Sequence, residues 1–163
     1  MRILGIDPGL AIVGYGVIDS EKGVYRPVDC GVINTPKELS LPERLQLIYK
    51  GMGELIDTFK PDQVAIEELF FTKNITTGIT VAEARGVILL ACKQSGLPMF
   101  EYTPNQIKQS LTGYGKADKK QIQFMITRLL GLKAIPKPDD AADALAIALT
   151  HAQTNRMGGL FSI

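Results

Sequence analysis

The chain has 163 residues, of which 45% are hydrophobic and 21% charged, and a net charge of +1. This length suits one domain with a full core, and it is too short for two enzyme-sized domains that close over a cleft. No run of about 18 uncharged apolar residues is present and no signal-peptide pattern opens the chain, so we expect no membrane span. Cys30 and Cys92 lack the close spacing of zinc or redox motifs, which favours a reducing, cytoplasmic location.

The basic residues are concentrated between Pro104 and Pro138. Seven lysines and arginines lie there against one acidic residue, Asp118. A solvated helical face and a nucleic-acid-binding surface both fit this pattern. The seven are Lys108, Lys116, Lys119, Lys120, Arg128, Lys133 and Lys137.

The first 35 residues contain three β-rich runs, "RILGID", "IVGYGVID" and "VYRPVDCGVINT". Short turns separate them, which predicts an antiparallel meander. From residue 41 to 60 the apolar residues recur at helical spacing, and Pro61 ends that helix.

The remaining elements alternate between strand and helix. "QVAIEELFF" reads as a buried strand, "VAEARGVILLACKQSG" as a helix from Val81 and "LPMFEYTP" as a further strand. A short helix around residues 107–111 follows, then a helix over 119–130 capped by Asp118, and a final helix in "PDDAADALAIALTHAQ". The tail "NRMGGLFSI" is expected to be frayed or loosely packed.

This order of elements predicts an α/β fold. The first three strands of a mixed five-stranded sheet are antiparallel, and the last two enter through helical crossovers, with helices on both faces. We expect one domain over residues 1–155 and a short tail over 156–163.

Acidic residues mark three separate places along this fold. Asp7 ends the first strand, Glu67 or Glu68 ends the fourth, and the last helix begins "DDAAD". If the first and fourth strands are neighbours, their carboxyl ends meet at one crevice. Asp140 and Asp143 are three apart and share a helical face, so four acids are expected to converge there.

Four convergent carboxylates require a cation, because without one they repel each other. Oxygen ligands with no cluster of His or Cys favour Mg²⁺ or Mn²⁺ over zinc. Two such ions can hold both the attacking and the leaving oxygen of a phosphodiester. The sequence therefore favours metal-dependent hydrolysis of a nucleic-acid backbone.

Each acid also has a structural interpretation. Asp7 before Pro-Gly fits a turn residue, and Asp139 fits the N-cap of the last helix, the role we assign to it. Glu67 and Glu68 point to opposite sides of a strand, so only one of them can face the site.

Several blocks extend this interpretation over nearly the whole chain, to about His151. They are "GIDPGLAIVGYGVI", "AIEELFFTKN", "EARGV", "FEYTPNQIKQSLTGYGKADKKQI" and "DDAADALAIALTH". Together they resemble the RuvC family of Holliday junction resolvases, which have a ribonuclease H-like fold. The resemblance implies a homodimeric endonuclease that nicks opposed strands of a four-way DNA junction in recombination and repair. It implies Mg²⁺, two ions per site with Mn²⁺ as a substitute, and 5′-phosphate products.

The resemblance also selects residues. It implies that Asp7, Glu67, Asp140 and Asp143 are the catalytic metal ligands, which decides between Glu67 and Glu68. Lys108 and Lys119 match lysines that contact DNA near the active site, and Phe70 matches an aromatic residue associated with the junction crossover. Lys116 and Lys120 flank the same "TGYG" turn, and we expect them to bind DNA phosphates. The family also suggests branch-migration motor proteins as partners.

Two further features allow more than one interpretation. The helix from Val81 to Lys93 is apolar on nearly every side, which fits either a two-fold homodimer or burial inside its own domain. His151 lies too far along the last helix from Asp140 to share a metal, and we interpret it as a structural or surface histidine.

Three other functions fit part of this pattern. A nuclease acting on structured RNA would use the same acids. A phosphotransferase of the sugar-kinase type needs a second domain, for which the chain is too short. A non-catalytic junction-binding module would need the basic surface but has no use for four acids.

Overall fold

In the computed structural model, which describes residues 1–69, 74–154 and 161–163, a five-stranded sheet forms the centre of the domain. The strand order is β3-β2-β1-β4-β5, and β1 lies in the middle. The β1–β2 and β2–β3 pairs are antiparallel, whereas β1–β4 and β4–β5 are parallel. The predicted mixed sheet is therefore confirmed. Its strands are β1 (Arg2–Asp7), β2 (Ile12–Glu21), β3 (Val24–Asn34), β4 (Gln63–Glu67) and β5 (Met99–Tyr102).

Five helices complete the described fold, and capping boxes fix the start of three of them. Ser40, Thr103 and Asp118 each accept a hydrogen bond from the backbone N–H three residues later. The predicted cap at Asp118 is thus confirmed. The helices are α1 (Leu41–Phe59), α2 (Ile75–Gln94), α3 (Pro104–Thr112), α4 (Lys119–Leu130) and α5 (Asp139–Thr154).

Helix α2 begins at Ile75, six residues before the predicted start at Val81. Asn74 is its N-cap, and its side-chain oxygen accepts a hydrogen bond from the Thr77 N–H at 3.2 Å. The first turns contain threonines and a glycine, and the low helix propensity of these residues is why the sequence predicts a later start.

The sheet separates two hydrophobic cores. α5 covers one face, where Ile3, Ala65 and Leu145 are fully or almost fully buried. α1 and α2 cover the other face, where Leu4 and Ile88 are buried. Successive strand residues thus point into opposite cores, and the prediction of helices on both faces is confirmed.

One side of α2 has no partner within the described chain. Ile88 and Cys92 are buried on the side that packs against α1. On the other side Ile75, Ile79 and Leu90 are 72%, 50% and 51% exposed. The alternative in which α2 is enclosed in its own domain is therefore wrong. By length and composition alone, α2 is long and apolar enough to cross a membrane.

The last three residues pair with the edge of the sheet. Phe161 O accepts a hydrogen bond from Glu101 N at 2.9 Å, and Ile163 N donates to Met99 O at 3.0 Å. The Phe161 ring lies 5.0 Å from that of Tyr102. The expectation of a loosely packed tail is therefore wrong for residues 161–163, because they cover the otherwise open edge of β5.

Candidate active site

Strands β1 and β4 bring Asp7 and Glu67 side by side. The two strands run parallel with Ile6 opposite Ile66, so the next residue of each lies at the same edge of the sheet. The two carboxyl groups share a hydrogen bond. Glu68 is exposed, and its backbone N–H donates to Tyr102 O at 2.9 Å. Glu67 is therefore the acid of this strand that faces Asp7.

Helix α5 brings the other two acids to the same edge because glycines let it approach the sheet. A Cβ atom on Gly5 would lie 2.1 Å from the carbonyl oxygen of Ala144, and one on Gly14 would lie 2.1 Å from that of Asp140. Only glycine allows such an approach between backbones. The first two turns of α5, which carry Asp140 and Asp143, consequently lie directly over β1 and β2.

The four acids act on each other electrostatically. Burial raises the pKa of Asp7 to about 8, with further increases from the negative charges of Glu67, Asp143 and Asp140. Burial also raises the pKa of Glu67, against the lowering effects of its hydrogen bond to Asp7 and the charge of Lys108. Burial raises the pKa of Asp143, opposed by Lys119. A carboxyl group that keeps its proton at neutral pH indicates a site that lacks positive charge.

The donor set fits a hard divalent cation. Asp7, Glu67, Asp140 and Asp143 offer only oxygen atoms, which suit Mg²⁺ or Mn²⁺. Within residues 1–69, 74–154 and 161–163, no three acidic, His or Cys side chains stand close enough to chelate one ion in this arrangement.

Asp139 does not have the predicted role of N-cap. It is the first residue of α5, and its carboxylate lies 3.1 Å from Lys119 Nζ and 3.8 Å from Lys137 Nζ. The hydrogen bond from Lys119 lowers the pKa of Asp139. The Asp139 carboxylate therefore holds Lys119 beside the other acids instead of capping the backbone N–H groups of α5.

Two of the predicted lysines lie at the acids. Lys119 Nζ is also 3.8 Å from the Asp143 carboxylate. The hydrogen bond from Lys119 to Asp139 raises the pKa of Lys119. Lys108 lowers the pKa of Glu67 by its charge. Together with Glu67 and Asp143, both lysines line a pocket of about 290 Å³. We call this space the active-site pocket.

The other predicted DNA contacts lie outside that pocket. Lys116 is exposed and lines a neighbouring groove beside Tyr114. Lys120 is exposed on the next face of α4. Phe70 lies outside the residues that the structure describes.

A buried polar network behind the site escaped the sequence analysis. His151 is fully buried, so of its two proposed roles the structural one is confirmed. Its Nδ1 lies 2.7 Å from the Tyr102 hydroxyl, and its Nε2 lies 2.7 Å from Gln63 Oε1. Burial lowers the pKa of His151 to about 4. The network joins α5 to β4, which carries Glu67, and to the neighbouring strand β5.

An ion pair between Arg85 and Glu101 was also missed. Arg85 Nη2 lies 2.6 Å from Glu101 Oε2, and the Arg85 side chain is mostly buried. The pair ties α2 to β5. Arg85 also lines a cavity of about 240 Å³ that borders Glu67. An arginine at the start of the long apolar run of α2 was the available signal.

Comparison with known proteins gives a consistent result. The model of the family "Crossover junction endodeoxyribonuclease RuvC" matches residues 3–151. The protein of that name from Brevibacillus brevis is 58% identical over 153 residues, which cover 94% of this chain and 92% of the relative. The Clostridioides difficile protein is 52% identical over 157 residues, 96% of this chain and 93% of the relative. The structure of Thermus thermophilus RuvC in complex with a Holliday junction substrate is 38% identical, with a TM-score of 0.94, over 100% of this chain and 99% of that one.

Proposed function

The chain belongs to the RuvC family of crossover junction endodeoxyribonucleases, and we propose that it resolves four-way DNA junctions at the active-site pocket. The observation that carries this proposal is that four acids lie at the carboxyl ends of β1 and β4 and the start of α5, where the charges of three of them raise the pKa of the fourth, Asp7. Asp7, with a pKa of about 8, marks the point where positive charge is needed.

We propose that Asp7, Glu67, Asp140 and Asp143 hold two Mg²⁺ ions, for which Mn²⁺ can substitute. When bound, such ions supply the positive charge that activates a water molecule and stabilises the departing 3′-oxygen, which leaves a 5′-phosphate. The oxygen-only donor set and the excess of negative charge support this assignment.

The chain's own cations have a separate task. Lys119 and Lys108 lie in the active-site pocket, where they bind the scissile phosphate and offset charge that develops during cleavage. Without DNA, Lys119 is held by Asp139 and Asp143, so it is already positioned at the acids. Lys116 and Lys120 bind the DNA backbone outside the pocket, and Phe70 stacks on a base at the crossover.

A homodimer explains the exposed apolar side of α2. Ile75, Ile79 and Leu90 recur at helical spacing and are at least half exposed, which is unusual for large apolar residues on a lone surface. A second copy of the chain placed against this stripe by a two-fold axis would bury it. Two active sites would then face the two opposed strands of one junction. We place this activity in the cytoplasm, with branch-migration motor proteins as further partners.

The test is cleavage of a synthetic four-way DNA junction in Mg²⁺, beside a linear duplex of the same sequence and an RNA junction. We expect paired nicks in the DNA junction alone. Asp7→Asn should abolish cleavage but keep junction binding, measured in Ca²⁺. Asp57→Asn, on the exposed side of α1, is the matched control and should cut normally.

Each other result has a definite meaning. Cleavage of the RNA junction in preference to DNA would favour a nuclease for structured RNA. Binding without cleavage across several junction sequences, also with Mn²⁺, would leave a binding module and contradict the proposed activity.

A further inference from the structure

Two exposed aromatic side chains line a groove beside the active-site pocket. Tyr114 is 56% exposed and Phe124 is 61% exposed. Both line a groove of about 400 Å³ together with Lys120 and Met125. We call it the aromatic groove. Large apolar side chains exposed as neighbours usually mark a binding surface.

The groove is held in a fixed shape. Gly113, at φ 73°, ends α3, and the Thr112 hydroxyl donates to the Lys108 carbonyl at 2.7 Å and accepts from the Tyr114 N–H at 3.1 Å. The Tyr114 carbonyl accepts a hydrogen bond from the Ala117 N–H at 3.2 Å. The backbone of Tyr114 is thus fully tied down while its ring remains accessible. Phe124 stands on the regular helix α4, so the backbone that carries both rings is already ordered when a ligand binds.

The aromatic groove is continuous with the active-site pocket. Ala117 and Asp118 line both spaces. Lys119 belongs to the pocket, and Phe124 follows five positions later on the same helix, about 7.5 Å along its axis and about 140° around it. A strand leaving the pocket therefore reaches the groove by passing around the start of α4, where Ala117 and Asp118 border both spaces.

The charges around the groove favour a polyanion. Lys116 and Lys120 flank the two rings, and the Arg128 guanidinium lies 6.0 Å from the centre of the Phe124 ring. Asp118 is the one acidic residue between Pro104 and Pro138, and its carboxylate accepts the Gln121 N–H as the cap of α4. Aromatic faces beside cations suit the bases and phosphates of a nucleic-acid strand.

We propose that the aromatic groove binds the nucleotides that flank the scissile phosphate on the cleaved strand. Tyr114 and Phe124 stack on bases, and Lys116, Lys120 and Arg128 contact the phosphates. This inference rests on the proposed function, because it requires DNA at the active-site pocket. Stacking is tolerant of sequence, so the groove adds affinity and positioning but no base preference.

The experiment uses a four-way junction in Ca²⁺, with 2-aminopurine placed one to four nucleotides on either side of the mapped nick. We expect the emission of 2-aminopurine to change on binding of wild type at one of these positions, and not on binding of Phe124→Leu. The double variant Tyr114→Leu/Phe124→Leu should bind the junction about tenfold more weakly for each ring removed. Tyr49→Leu removes an exposed tyrosine from α1, on the other side of the sheet, and should change the affinity less than about twofold.

An abasic nucleotide at the responding position completes the test. Against that junction, wild type and Phe124→Leu should bind equally, because the stacking partner is gone. An unchanged affinity of the double variant would overturn the inference and point to a protein as the occupant. A loss that persists against the abasic junction would also overturn it. If wild type neither binds nor cuts a junction, the proposed function fails and the inference fails with it. If wild type cuts normally, the results for the variants test the role of the aromatic groove alone.

Discussion

Gly14 lies directly beneath the backbone of Asp140. A Cβ atom at Gly14 would be 2.1 Å from the Asp140 carbonyl oxygen, and Gly14 is also the residue opposite Asp7 in the β1–β2 ladder. One residue without a side chain therefore sets the separation between two of the four acids.

Gly14→Ala should damage both stability and metal binding. The methyl group must displace the start of α5, and overpacking of this kind costs about 1–3 kcal/mol of unfolding free energy. Because Asp140 moves with the helix, Mg²⁺-dependent cleavage should fall more than the fraction folded does. Urea unfolding and junction cleavage measure the two effects. Gly53→Ala on α1 is the control: its Cβ meets nothing within 4 Å, and it should stabilise the protein by about 0.5–1 kcal/mol.

Much of this site could be predicted because its signals are local. Asp7 and Glu67 follow apolar runs that read as buried strands, and Asp140 and Asp143 share one helical face. The resemblance then selected Glu67 over its neighbour. The N-cap predicted at Asp118 is confirmed, and it likewise depends on a hydrogen bond between residues only three positions apart.

The errors involve partners that are distant in sequence. Asp139 looks like a cap until Lys119, twenty positions earlier, is seen to hold its carboxylate. The pairing of Ser162 with Phe100 and the burial of His151 against Gln63 depend on contacts that no periodicity encodes. The glycines of "GIDPG" and "VGYGV" are evident in the sequence. That the backbone of α5 approaches Gly5, Gly14 and Gly16 is known only from the fold.

Asp7→Asn should stabilise the metal-free protein at alkaline pH. The folded pKa of Asp7 is raised from 3.8 to about 8, so the folded state binds more protons than the unfolded state in this window. Stability is therefore lost as the pH rises towards 8. Asparagine removes that charge, and we expect a gain of about 2 kcal/mol at pH 8.5 in EDTA, measured by urea unfolding.

The same variant should lose the response to metal. A cation that binds only the folded state adds about 2.7 kcal/mol at a hundredfold excess over its Kd. Wild type should show this rise in Mg²⁺, and Asp7→Asn should show much less of it. An equal rise in both proteins would contradict the role of Asp7 as a ligand.

His151 should make the protein sensitive to acid. Its pKa falls from 6.5 to about 4 on folding, so the unfolded state binds more protons between these values. Its contribution is complete above pH 6.5 and is lost as the pH falls towards 4, by up to about 3 kcal/mol. His151→Gln should flatten the pH dependence of unfolding in this range. A slope identical to that of wild type would show that other groups cause it.

Lys119→Met should separate catalysis from binding. Lys119 contacts Asp139 and Asp143 beside the proposed metal ligands, so its loss should lower the cleavage rate about a hundredfold and junction affinity only a few-fold. Single-turnover cleavage and binding in Ca²⁺ measure the two quantities. Lys50→Met, on α1, should leave both unchanged. Equal losses of rate and affinity at Lys119 would reduce its role to a phosphate contact.

Leu90→Lys should separate the two copies of the proposed dimer. Leu90 is 51% exposed on the apolar stripe of α2, and a lysine that must be buried against a second copy costs several kcal/mol of association free energy. Sedimentation should show a folded monomer, because Leu90 is 51% exposed and contributes little to the core of its own chain. Val28→Lys, at a 38% exposed position on β3, should remain dimeric. On a four-way junction the Leu90 variant should make single nicks rather than paired nicks in opposed strands. A variant that remains dimeric and cuts both strands would place the interface elsewhere.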